Sequence, residues 1–202
     1  MSFPAFFDAV APLILFDGLA ETLGAAENGR LIYHYDDVVR LAGHSCPTVA
    51  GAWLMAKQGL AALYPNALPV RGEIRVDLRA ALDAGTTGVV GSVLGLITGA
   101  AGEGGFQGLG PRYGRRKLLN YGVDLPAEVR FTRIDTGAAA LLAYHPEVVP
   151  HLPGMQTLMP RVVSGQAHAE ERSEFARLWQ ERVRRILLEH GDDPSVVSAV
   201  LI

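Results

Sequence analysis

The longest apolar run of the chain lies between Pro47 and Tyr64, where Lys57 and Gln58 are the only strongly polar members. A helix apolar on most of its sides is expected at the centre of a fold, because only a buried position satisfies all its faces. Its start is marked by Ser45 and then Cys46-Pro47. A hydroxyl can cap the free amides of a first turn, and a proline there gives up an N–H that has no partner anyway. Upstream, residues 1–29 read as a helical lead-in, with Leu13, Phe16, Leu19, Ala20 and Leu23 at helical spacing and Asn28-Gly29 as the stop. Leu31 to Tyr35 reads as a short strand. Asp36 is expected to cap a brief helix from Asp37 to Ala42, which Gly43 would end in the left-handed conformation.

Downstream, Pro65 to Pro69 turns the chain, and Ile74, Val76 and Leu78 alternate with Arg75 and Asp77 as a half-exposed strand. Ala84 to Gly102 carries no charge, but its glycines at 85, 88, 91, 95, 99 and 102 leave too little aliphatic surface for a membrane span. They fall largely on one helical stripe, where another backbone can come close. Gly102 to Lys117 is irregular and rich in glycine and arginine. Val129-Phe131-Ile134 and Ala139-Leu141-Ala143 flank Asp135-Thr136-Gly137 as a hairpin. A proline-rich passage from Pro146 to Pro160 leads to a last helix at about 168–190, with Phe175, Leu178, Trp179, Val183, Ile186 and Leu187 as its apolar stripe. Arg182, Arg184 and Arg185 are assigned to its wet face, and Trp53 and Trp179 to packing. Helices and strands mix without strict alternation, so the class is α+β, a mixed sheet packed with helices. The lead-in 1–29 is followed by one domain over 30–202.

Composition narrows the function. The 202 residues carry a formal charge of −3, which lacks the basic excess of a nucleic-acid binder. A single cysteine excludes an internal disulfide framework and an all-cysteine zinc ribbon. No Lys or Arg precedes Arg30 and Asp8 and Asp17 interrupt the apolar start, unlike a secretory signal. A cytoplasmic protein without a membrane partner is expected.

The sharpest local feature is Gly43-His44-Ser45-Cys46-Pro47. An imidazole and a thiol two residues apart at a helix start suit a borderline divalent metal, and equally a cysteine nucleophile with a histidine base. A helix N-terminus favours thiolate over thiol. Cys46 as a small buried apolar residue is the plain alternative. A thiolate can also hold haem iron in a non-catalytic binding module, with the glycine-lined helix as a dimerisation face. The loop from Gly102 to Lys117 offers backbone amides with Arg112, Arg115, Arg116 and Lys117, so an anionic ligand near the His44/Cys46 turn is a further expectation.

With Thr98-Gly99-Ala100, Gly102-Glu103-Gly104 and Tyr113-Gly114-Arg115 following in order, the pentapeptide resembles the FmdE-like family, named after a component of formylmethanofuran dehydrogenase. The resemblance covers roughly residues 30–145. It implies an α+β domain, often dimeric, with a metal ion, usually zinc, held by His44 and Cys46. It does not carry over the dehydrogenase activity. Three positions depart from the family pattern: Ala42 where a second histidine is common, Thr48 for the usual glycine, and Ala100 for a cysteine. A metal at this turn would therefore need further donors: Glu103, one of His34, His145, His151 and His168, a second copy of the chain in a homodimer, or a bound small molecule. Glu103 and Arg115 are the residues assigned to that ligand.

Overall fold

The computed structural model describes residues 3–202. The lead-in is not helical throughout. After a 3-10 turn at Ala5–Ala9, strand β1 (Leu13–Phe16) precedes a short helix α1 (Gly18–Thr22). β1 pairs antiparallel with β2 (Arg30–Tyr33), Leu13 opposite Tyr33 and Phe16 opposite Arg30. Leu13 and Leu15 are buried while Leu23 is exposed. The period that matters is thus two, and the helical spacing of Leu13, Phe16 and Leu23 is coincidental.

Helix α2 (Tyr35–Ala42) starts earlier than the aspartate cap predicts. His34 is its cap residue, and the Asp37 carboxylate reaches back to accept from the His34 N–H at 2.8 Å. Gly43 ends it at φ 75°, as expected. Helix α3 (Pro47–Leu63) is buried along almost its whole length. Trp53 is fully buried and meets Tyr35 edge to face at 5.9 Å. Strand β3 (Ile74–Leu78), helix α4 (Thr87–Thr98), the two-residue β4 (Leu119–Asn120), and the hairpin β5 (Val129–Arg133) and β6 (Ala139–Tyr144) follow.

The C-terminal third holds three features that the proline-rich composition and the last-helix assignment miss. Helix α5 (Met155–Val163) forms within the proline-rich passage, α6 (Ala169–Arg184) closes through a π-turn at Arg185–Glu189, and a final strand β7 (Val197–Leu201) returns to the sheet. The sheet order is β4-β3-β5-β6-β7, with β3 and β4 parallel and the other pairs antiparallel. This is an α+β fold with a mixed sheet of five strands and a separate two-stranded ribbon. No helix among the described residues is long and apolar enough to cross a membrane.

Glycines set how closely α3 meets the sheet. A Cβ at Gly59 would stand 2.7 Å from the Phe131 ring, and one at Gly51 would overlap the ring of Tyr144. The two lie on one face of α3, which seats β5 and β6 directly against its backbone. The glycine stripe of α4 is likewise used within the chain: Gly91 takes the Tyr121 ring and Gly95 the carbonyl of Ala100. Those two positions are therefore filled from within the chain.

Two charged groups assigned to solvent are buried. Asp77 is 3% exposed because its neighbours on both sides cover it: Arg130 on β5 donates to it at 2.7 Å and Asn120 on β4 at 2.9 Å. Arg182, placed on the wet face of the last helix, is buried under the 146–151 segment. Its Nε and Nη2 donate to the carbonyls of Val149 and Pro146, both at 2.7 Å, and Nη1 meets the His151 ring. An irregular segment has carbonyls without partners of its own, and a guanidinium fork satisfies several at once.

Candidate functional site

The His44–Cys46 turn joins two helices whose ends fix it. Gly43 in the left-handed conformation turns the chain off α2, and Cys46, not Ser45, is the cap of α3. The Cys46 Sγ accepts the Val49 N–H at 3.5 Å, which occupies one of the four unpaired amides of that helix start. Ser45 is instead a fastener. Its hydroxyl is 3.1 Å from the buried Tyr35 hydroxyl, and its carbonyl accepts from Trp179 Nε1 at 3.0 Å and Gln180 Nε2 at 3.1 Å on α6. Trp179 thus anchors the turn as well as packing.

His44 is exposed, with Nδ1 at 2.9 Å from the carbonyl of Ala42. A carbonyl only accepts, so Nδ1 carries the proton in the neutral ring and the Nε2 lone pair is left available. Cys46 beside it is buried at 8% exposure. Tyr144, at the end of β6, closes the turn from the sheet side by donating to the Pro47 carbonyl at 2.9 Å. Burial pushes the phenols of both Tyr35 and Tyr144 well above the usual range, so each is a neutral hydroxyl at physiological pH.

A cavity of about 300 Å³ opens beside the first turn of α3, bordered by Thr48, Tyr144 and Met55. Arg79 beyond β3, Thr86 and Thr87 at the start of α4, and Glu128 complete its polar lining. Glu128 accepts the Tyr144 N–H at 3.2 Å through one carboxylate oxygen. Both α3 and α4 begin at this cavity, so the positive ends of two helix dipoles meet there. Its apolar wall with a few convergent polar groups is the usual make-up of a small-molecule site.

The other candidates lie elsewhere. Among the described residues, no group of three or more His, Cys, Asp and Glu side chains stands close enough to hold a metal ion. His34 caps α2, His145 is 3.3 Å from Glu147, His151 lies on Arg182, and His168 caps α6. Burial and the neighbouring Arg182 hold His151 below the ordinary imidazole range. Glu103 is exposed and pairs with Arg116 at 3.5 Å and Lys117 at 3.8 Å. Arg115 is buried against Asp17 at 2.7 Å, near Gly72 before β3, whereas Arg79 and the cavity lie past that strand's other end. The structure therefore brings neither Glu103 nor Arg115 to the turn. Arg79, Glu128 and Tyr144 have no local signal, since separate strand ends supply them; Gly51 is the one sequence hint of a close approach.

The two donors of the turn suit a borderline divalent ion. A bare Nε2 on a ring whose other nitrogen is tied to a carbonyl is the usual arrangement of a metal-ligating histidine. Two donors fall short of the three that catalytic zinc sites draw from protein. The chain matches no known family model, and no curated protein matches it in sequence. The likeness to the FmdE-like family therefore rests on the His44 to Lys117 motifs.

Proposed function

We propose that this chain is a metal-binding protein of the FmdE-like type. One divalent ion, zinc by donor type, is held through His44 Nε2 and Cys46 Sγ, and a small anionic molecule occupies the adjoining cavity. The observation that carries the reading is the bond from His44 Nδ1 to Ala42, which presents Nε2 as an acceptor two residues from the only thiol. When bound, such an ion supplies Lewis acidity. The chain's own part is to orient and to attract: Trp179 and Gln180 fix the turn through Ser45, while Arg79 and the two helix starts outweigh the Glu128 carboxylate in the cavity lining. The remaining coordination positions fall to the ligand, water or the second copy in a homodimer.

Metal content per chain, measured by mass spectrometry on protein purified without a histidine tag or chelator, tests this directly. Near one equivalent is expected in the native protein. Cys46→Ser and His44→Ala should each lose it, with thermal unfolding of the apo forms within a few degrees of one another. Metal-free native protein sinks the reading and leaves Cys46 with His44 as a thiol–imidazole pair, whose alkylation rate against pH would then be the informative measurement.

A further inference from the structure

Arg115 is the most deeply buried cation among the described residues, at 7% exposure. Its Nη2 donates to Asp17 Oδ1 at 2.7 Å, while Nε and Nη1 have no acceptor among the described residues. Asp17 is not its private partner. Oδ1 also accepts the Leu19 and Ala20 amides as the cap of α1, and Oδ2 takes Arg71 Nη1 at 2.9 Å. Arg71 spends its other donors on the Leu96 carbonyl, in the last turn of α4, which contributes about half a negative charge. One buried guanidinium, Arg115, and one half-buried one, Arg71, therefore face one carboxylate and one helix end, a surplus of positive charge that such clusters ordinarily compensate. Burial holds Arg115 below the ordinary guanidinium value even with Asp17 beside it.

The surplus lies on the wall of a second cavity of about 300 Å³, lined by Arg71, Arg112, Arg115 and Gly114, with no lining residue in common with the first. The two cavities lie at opposite ends of β3. Glu21 and Glu73 also border it, but both are exposed at the rim, and Glu73 acts on Arg133 outside it. Gly72 makes the slot: at φ 85°, it leaves space that a Cβ would take from Nη1 of Arg115.

We infer that this second cavity is an oxyanion site, taking a small molecule with a phosphate or carboxylate head against the free Nε and Nη1 of Arg115, with Arg112 at the mouth. Its volume suits a small metabolite. The site is independent of the His44–Cys46 reading.

Titration calorimetry of the full chain with inorganic phosphate and, separately, acetate tests the assignment. At least one of them should bind saturably, the tighter one identifying the head group. Arg115→Lys, which keeps the charge facing Asp17 but loses the fork, should bind it roughly tenfold more weakly. Arg112→Ala should also weaken it, and decides the matter if Arg115→Lys does not fold. Arg177→Ala, an exposed arginine of α6 that lines neither cavity, should bind as the native chain does. The assignment is overturned if neither anion saturates the native protein, if Arg112→Ala binds unchanged, or if Arg177→Ala abolishes binding.

Discussion

Asp17→Ala destabilises the protein by about 3–5 kcal/mol at neutral pH, the cost of removing the shared partner of buried charges. The carboxylate is 4% exposed and answers Arg71, Arg115 and two amides of α1. Without it, Arg115 has no anionic partner among the described residues, and α1 loses its cap, worth about 1 kcal/mol of that total. Against a typical total of about 5–15 kcal/mol this is a large fraction, readable as a lower urea midpoint. The same group sets a pH dependence. Burial alone would raise the Asp17 value, but the hydrogen bond from Arg71, the Ala20 amide and the charges of both arginines overcome it, so the folded value lies below the ordinary one. A carboxylate depressed by folding contributes stability that is complete above its unfolded pKa of about 3.9 and is lost as pH falls through the folded value. Stability of the native chain should therefore fall below about pH 4 through this group, and Asp17→Asn should flatten that part of the profile. An unchanged acid limb in Asp17→Asn would show that the cluster does not control it.

Gly51→Ala carries the second large effect, and its sign is the test. In an exposed helix this change stabilises by about 1 kcal/mol. Here the new Cβ overlaps the Tyr144 ring, and overpacking of that kind costs about 3 kcal/mol. A net loss of about 2 kcal/mol is expected. Tyr144 must also leave the Pro47 carbonyl, which deforms the wall of the cavity beside the first turn of α3. Gly104→Ala is the control, since nothing lies within 4 Å of its Cβ; it should change stability by no more than about 0.5 kcal/mol. Thermal unfolding of both variants decides, and a stabilised Gly51→Ala would mean that Tyr144 does not sit on α3.

Elements with local signals form where those signals put them. The hairpin β5–β6 follows its turn chemistry, and α3 begins at Pro47. The departures share a cause. β1 reads as helix because its partner β2 lies beyond a helix and a turn, and β7 leaves no local mark because its pairing partner β6 is distant along the chain. Within the candidate site, His44 and Cys46 are legible as a motif, whereas Arg79, Glu128 and Tyr144 come from the ends of three separate strands.

By itself, then, the sequence determined the elements whose signals are local: an apolar central helix, a glycine that ends α2, and between them a short turn carrying the only imidazole–thiol pair. Only the tertiary structure decided which charges are buried and which cavity each faces. Asp77 and Arg182 read as solvent-facing and Arg115 as a loop residue in sequence, Asp17 only as a charge within an apolar lead-in, and all four are buried. The physical reason is that burying a charge is tolerable only where partners from distant segments converge on it, and such partners leave no trace in the pattern of neighbouring residues.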